Sequence, residues 1–176
     1  MVDLRLHEMP LLHGEVDAAL GFDGSSYCNL VKLGAKPQTV ACDFVAAMGM
    51  PLSGNSQAVS KKMTGTAPDI ILGFVASSAQ DWLGAIQDPT AAIATVEAKD
   101  HLVEGTLETD KLDWIIKNQI HLAESEAHGM GSVDPARIAQ SIQIVKDGFG
   151  LHVAPAASAV FDDSFMPSFD HRILLA

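Results

Sequence analysis

The sequence has few basic residues, no long apolar run and no recognisable export signal. Lysine and arginine number 11 against 22 aspartates and glutamates, which gives the 176 residues a formal net charge of −11. Because such a surface repels a phosphate backbone, we predict no binding to nucleic acid. No apolar run reaches the roughly 18 residues of a membrane span, so no transmembrane helix is expected. The first residues lack the basic start and apolar block of a signal peptide, which predicts a cytoplasmic protein for the sequence as written.

Cysteine is scarce, and the motifs of common catalytic sites are absent. The two cysteines, Cys28 and Cys42, fit no zinc-binding spacing, and we interpret them as small buried hydrophobic residues. The sequence contains no G-x-S-x-G, H-E-x-x-H, Walker or G-x-G-x-x-G motif. Its seven histidines include no pair at positions i and i+4. We therefore predict no enzyme activity, no metal site and no cofactor.

The apolar pattern predicts strands first and helices afterwards. Apolar residues make up 48% of the chain and charged residues 19%, so it can bury a sizeable core. Period-two alternation and short apolar runs predict strands at residues 2–6, 16–22, 39–42 and 55–59. A helix is expected from about residue 25 to residue 33, with Gly34 at its end. We predict one α/β domain over residues 1–176, with few short strands followed by about four helices.

The later helices carry clear start signals. Pro68, Asp88-Pro89 and Asp134-Pro135 each suit the first positions of a helix, where proline loses no hydrogen bond and aspartate caps free amides. A further helix is predicted over residues 107–122. In the helix after Pro68, the spacing places the following residues on one inward face: Ile71, Phe74, Val75, Trp82 and Ile86.

One segment suggests a ligand site. Residues 21–27, with the sequence GFDGSSY, follow a predicted strand and open a predicted helix. Because ligands bind at the carboxyl ends of strands and at helix N-termini, we predict ligand contacts there. The predicted ligand-binding residues are Phe22, Asp23, Ser25 and Ser26, with Asn55 approaching from a second polar segment at residues 53–57. An ordinary strand–turn–helix corner and a solvated loop are the open alternatives.

Several short motifs follow one another in an order seen in a known family. They lie at residues 14–22 ("G-x-V-D-A"), 52–55, 67–76, 82–93, 129–138 ("G-x-G-x-V-D-x-x-R") and 161–167 ("F-x-x-x-F-L-P"). The set resembles the C-terminal part of ABC-transporter substrate-binding proteins for nitrate, sulfonates, taurine and thiamine pyrimidine precursors. These are type II periplasmic binding proteins, in which two α/β lobes hold the ligand between them. Cys28 and Cys42 do not reproduce the cysteine-rich motif of the branch that makes the thiamine pyrimidine.

The resemblance implies a partial fold and a binding function. Residues 1–24 would hold the end of one lobe and the hinge crossing, and residues 25–176 the returning lobe. The implied function is a periplasmic solute-binding component, or its truncated remnant, for a small anionic or heterocyclic nutrient, with an ABC permease as partner. Because half of such a protein would expose sheet edges and apolar faces, we predict a homodimer. The alternative is a repurposed, small oligomeric interaction protein with no ligand.

Overall fold

The computed structural model describes residues 8–36 and 56–174. Its contacts divide the chain into two compact units. The first unit comprises Met1–Phe44 and Asp88–Gln119, and the second comprises Val45–Gln87 and Ile120–Ala176. The predicted single domain, with a division near residue 24, stays a prediction.

Helices are the regular structure of the described ranges. The α-helices are α1 (Glu8–Leu12), α2 (Cys28–Lys32), α3 (Lys61–Thr66), α4 (Pro68–Gln87), α5 (Pro89–Lys99), α6 (Gly105–Ile115), α7 (Ala123–His128), α8 (Pro135–Phe149) and α9 (Ala157–Val160). One π-helical turn, Asp23–Tyr27, precedes α2, and another, Ile116–Ile120, follows α6. A 3₁₀ turn spans Phe169–His171. Within the described residues, no helix is both long and apolar enough to span a bilayer.

The predicted α/β fold is wrong, because the described residues form helices and no β-strand. Residues 16–22 and 56–59, for which strands were predicted, have no regular structure. Alternation specifies a strand only where a second strand accepts its backbone hydrogen bonds, and no described segment does so here. The predicted strands at residues 2–6 and 39–42, and residue 55 itself, lie outside the described residues.

The predicted helix starts are confirmed. Pro68 is the first residue of α4. The Asp88 carboxylate accepts a hydrogen bond from the Ala91 amide at 2.9 Å, and Pro89 follows as the first residue of α5. Asp134 accepts from the Ala136 amide at 2.8 Å at the start of α8. Each signal is local, since one side chain satisfies amides that the first turn leaves free.

The buried apolar residues are few and are distributed over both units. Among the described residues, the buried apolar side chains are Cys28, Leu30 and Ile93 in the first unit and Ile71, Ala79, Ile120 and Ile138 in the second. No described side chain is completely enclosed. Many large apolar side chains remain exposed.

Candidate functional site

The predicted ligand corner is a π-helical turn that leads directly into α2. It begins at Asp23, two residues before the predicted helix start, and Phe22 is the residue that precedes it. The Phe22 carbonyl accepts hydrogen bonds from the Ser26 amide at 2.8 Å and the Tyr27 amide at 3.4 Å. No side chain caps the N-terminus of the turn. A Cβ at Gly21 would overlap Ser26, so the entry to the turn requires glycine.

Asp23 connects the turn to the far end of the first unit. Its Oδ1 accepts hydrogen bonds from the Gly24 amide at 2.8 Å and from Gln119 Nε2 at 2.6 Å. Gln119 belongs to the second π-helical turn and follows Asp23 by 96 residues. The carboxylate predicted to bind a ligand therefore holds two π-helical turns together.

The corner also packs closely against α6. A Cβ added to Gly24 would lie 2.9 Å from Ile115 Cγ1, closer than ordinary van der Waals contact. The rings of Tyr27 and Trp114 lie 5.9 Å apart between centroids, tilted by 52°. This spacing is favourable for an aromatic pair. The corner is therefore occupied by neighbouring side chains of the same unit.

Cys28 follows the turn and is buried, as the sequence predicted. Burial raises the pKa of its thiol above the ordinary value of 9.0, an effect that the nearby Lys111 partly opposes. The thiol is therefore neutral at physiological pH and is a poor nucleophile. Cys42 lies outside the described residues.

The predicted ligand contacts stay a prediction, and the described members of the set differ in exposure. Phe22 is 76% exposed, and Ser25 is exposed with its hydroxyl 3.4 Å from the Phe22 carbonyl. Ser26 is buried, and Asn55 lies outside the described residues. A depression of about 360 Å³ in the same unit is lined by other residues: Met9, Leu11, Leu12, His13, Leu33, Gly34 and Ala35. In the ranges that the structure describes, no group of three metal-ligating side chains is present.

A second motif segment, the loop of residues 129–132, is held by the C-terminal part of the chain. Arg172 donates hydrogen bonds from Nη1 to the Met130 carbonyl and the Ser132 hydroxyl, both at 2.9 Å. Its Nε donates to the Pro167 carbonyl at 2.8 Å, and the Met130 amide donates to the Arg172 carbonyl at 2.9 Å. The guanidinium therefore links the two segments that resemble family motifs at residues 129–138 and 161–167.

Glycine is required at two positions of this loop. Gly129 and Gly131 have φ angles of 84° and 80°, which side-chain-bearing residues rarely adopt. A Cβ on Gly131 would also lie 2.7 Å from Met166 Cε. The two glycines of "G-x-G" thus have a structural explanation that involves no ligand.

An exposed apolar face on α4 is the feature that the sequence analysis missed. Ile70 and Phe74 are 62% and 58% exposed, although Phe74 was predicted to point inward with Ile71. Gly73, Ser77, Asp81 and Gly84 share this face at helical spacing, so the face is apolar or small except at Asp81. A Cβ at Gly73 or Gly84 would meet no atom within 4 Å. We refer to Ile70, Gly73, Phe74, Ser77 and Gly84 as the 70–84 face.

A sequence signal for this face was present. Ile70 and Phe74 are four residues apart, and small residues recur beside them at positions 73, 77 and 84. The helix also has an inward stripe through Ile71 and Ala79, so apolar residues occur on two of its sides. A helix that is apolar on more than one side requires more than one apolar neighbour.

Comparison with known proteins identified no relative: no family model matches the chain, and no significant match was found among curated proteins or solved structures. The resemblance to periplasmic binding proteins therefore stays a prediction.

Proposed function

We propose that this protein is a small interaction module that self-associates through the 70–84 face of α4. The observation that carries the proposal is the exposure of Ile70 and Phe74 beside glycines whose surroundings are empty. This function corresponds to the alternative that the sequence analysis left open, an oligomeric protein with no ligand.

Apolar burial supplies the driving force for this association. Full burial of a large apolar side chain contributes about 1.5–3 kcal/mol, so covering the exposed parts of Ile70 and Phe74 contributes on the order of 1–2 kcal/mol each. The two residues lie one helical turn apart and form a continuous contact surface.

The glycines favour a helix as the neighbour. Glycine inside a helix costs roughly 0.5–1 kcal/mol relative to alanine. Nothing in the described structure requires the absence of a side chain at Gly73 or Gly84. A second helix at short distance does require it, because the separation of packed helices depends on the side chains at their contact.

The charges of α4 favour an antiparallel pair with twofold symmetry. The helix contains only two charged residues, Asp69 and Asp81. In a parallel pair in register, each Asp81 would face its copy. In an antiparallel pair centred on Ser77, Ile70 would lie over the partner's Gly84. The two Asp81 side chains would then be separated by about 12 Å along the axis, beyond the Debye length in physiological salt. Such a contact is self-complementary, as a dimer of this symmetry requires.

The solute-binding function stays a prediction with little geometric support. It depended on two α/β lobes, and the described residues contain no strand. Of the proposed ligand contacts, Asp23 is engaged with Gln119 and Ser26 is buried. A ligand panel of anions, sulfonates and pyrimidines that leaves the melting temperature unchanged would argue against it.

Light scattering with matched glycine variants tests the proposed self-association. We expect the wild-type chain to show twice the 18.6 kDa of one chain at micromolar concentration. Gly73→Leu places a side chain in the contact and should give a monomer. Gly148→Leu is the matched control, because a Cβ at Gly148 in α8 also meets no atom within 4 Å. A monomeric wild type, or equal dissociation by both substitutions, would contradict the proposal.

A further inference from the structure

We infer that residues 15–22 are a docking strand, which adds to the exposed sheet edge of a partner protein whose edge carries lysine or arginine. This inference goes beyond the proposed self-association, since it concerns other residues, in the other unit, and a different partner.

The backbone of this segment is available for pairing. Residues 13–22 are all exposed. The Glu15 amide donates to the Pro10 carbonyl at 2.8 Å, and the next amide with a backbone partner is that of Ser25. Between them, in the described structure, the amides of residues 16–22 make no intramolecular hydrogen bond. Fully extended, residues 16–22 would span about 23 Å, the length of an ordinary strand.

The side chains of the segment have the two-sided pattern of a strand. Even-numbered positions carry Val16, Ala18, Leu20 and Phe22, all apolar. Odd-numbered positions begin with the acidic residues Glu15 and Asp17. In an extended chain these two sets point to opposite faces. Leu20 is 94% exposed and Phe22 is 76% exposed, so the apolar set lacks cover.

The local sequence and the observed conformation therefore disagree. The alternation is the reason why a strand was predicted at residues 16–22, and the described part of the chain supplies no strand to pair with it. Such a conflict between local preference and structure is expected at functional sites. A strand from another protein resolves it, as in recognition by strand addition, where main-chain hydrogen bonds and alternate side-chain pockets act together.

The charge of the segment indicates which kind of partner it binds. Residues 6–31 contain no lysine or arginine. A parallel, in-register pair with a second copy would place the Glu15 and Asp17 carboxylates of both chains close together, and an antiparallel pair would offer them no lysine or arginine. Exposed edges in natural sheets are commonly protected by lysine, which would pair favourably with these carboxylates. The expected partner is thus a different protein with a basic edge strand and apolar pockets for Leu20 and Phe22.

The test uses the whole chain and a defined probe. The probe is a small sheet protein whose edge strand is randomised, displayed on yeast and selected for binding to the full-length chain. We expect the selected edges to be enriched in lysine and arginine and to protect the amides of residues 16–22 from hydrogen exchange. Selection that yields no binder, or binders with acidic edges, would overturn the inference.

Two proline variants distinguish strand pairing from side-chain binding alone. Neighbouring amides of a strand point to opposite sides, so an added strand uses either the amide of residue 18 or that of residue 19. One of Ala18→Pro and Ala19→Pro should weaken binding by about tenfold or more, and the other by less than about threefold. Equal effects of both would overturn the inference.

The same variants separate this inference from the proposed self-association. Both substitutions lie in a segment whose amides make no hydrogen bond within the described residues, so the helical circular dichroism of both variants should match that of the wild type. Light scattering should show an unchanged mass for both, since the 70–84 face is untouched. If either proline variant reduces self-association, the segment pairs with a second copy, and the inference of a basic partner is wrong.

Discussion

Two turns of this protein, each part of a predicted motif, are held by distant residues of different chemistry. The corner at Asp23–Tyr27 depends on the hydrogen bond from Gln119 and on close packing against Ile115. The loop at residues 129–132 depends on the charged side chain of Arg172, which donates three hydrogen bonds. Because Arg172 donates three hydrogen bonds to the loop segments and Gln119 donates one to the corner, loss of the anchor should destabilise the loop more than the corner.

The largest effect is expected for Arg172→Met. The substitution removes the three donated bonds and leaves two carbonyl groups and a hydroxyl without this donor, so the free energy of unfolding should fall by about 2–4 kcal/mol. Urea denaturation, combined with hydrogen exchange in α8, measures the loss. Arg137→Met is the matched control. Among the described residues, Arg137 makes an ion pair at 3.7 Å with Glu124, whose side chain is 19% exposed, and this single contact predicts a smaller loss of about 1 kcal/mol. Equal losses would show that Arg172 does not anchor the loop.

The next effect is expected for Gly131→Ala in the same loop. A side chain at φ of 80° costs about 1–2 kcal/mol, and contact with Met166 adds to this cost. Gly150→Ala isolates the backbone contribution, because Gly150 has φ of 64° and a Cβ there meets no atom within 4 Å. The thermal stability of Gly131→Ala should therefore be the lower of the two. A smaller effect at Gly131 than at Gly150 would mean that the Met166 contact is not formed.

At the corner, Gly24→Ala should be destabilising by about 1 kcal/mol because the new methyl group meets Ile115 at 2.9 Å. Gly148→Ala is the opposite case: its Cβ enters open space in α8, so the same change should raise the stability of the chain by about 0.5–1 kcal/mol. Chemical denaturation of both variants compares them. In an Ile115→Ala background, Gly24→Ala should lose most of its effect. Persistence of the full effect there would rule out steric contact as its cause.

The smallest effect is expected for Gln119→Ala, which removes one exposed hydrogen bond to Asp23 and should cost about 0.5–1 kcal/mol. The buried thiol of Cys28 reports the opening of the corner. In a Cys42→Ser background, Gln119→Ala should accelerate labelling of Cys28 by a thiol reagent at pH 8 by a few-fold. Asn118→Ala is the control, since Asn118 bonds only the Trp114 carbonyl of its own helix. Equal acceleration by both would contradict a role for the Asp23 bond.

The Cys28 thiol also predicts how the stability of the folded protein changes with pH. Its pKa is raised in the folded protein, so the folded state retains the proton to higher pH than the unfolded state. The resulting stabilisation is complete below the ordinary pKa of 9.0 and is lost as the pH rises through the folded value. Replacement of Cys28 by alanine should therefore flatten the fall in stability above pH 9. If stability falls equally steeply above pH 9 in the alanine variant, other titrating groups cause the fall.

Features encoded within one turn of helix could be predicted from the sequence. The Asp88 and Asp134 caps each bond an amide two or three residues away, so the residues that form the helix start stand side by side in the sequence. The same is true of Gly34, whose φ of 85° ends α2 as expected. Strand predictions failed for the opposite reason. The alternation at residues 16–22 favours an extended conformation. A strand also needs a second strand to pair with, and the sequence of this segment does not specify one.

The candidate site could be predicted only in part. The importance of Gly21 and Asp23 was visible as a motif, but the partner of Asp23 lies 96 residues away and carries no local signal. Phe74 was predicted inward because helical spacing alone does not distinguish a core neighbour from an external one. The small residues at positions 73, 77 and 84 were the information that would have corrected this assignment.

The position of Arg172 also sets an order of events during synthesis. Its guanidinium follows Ser132 by 40 residues. At about 5–20 residues per second, the ribosome adds it roughly 2–8 s after the loop has been made. Until Arg172 has been added and has left the ribosome, the two positive-φ glycines lack the hydrogen bonds that hold this loop in the folded protein. A chaperone or protease that acts on the nascent chain would therefore meet this loop open, whereas one that acts on the finished protein would meet it closed.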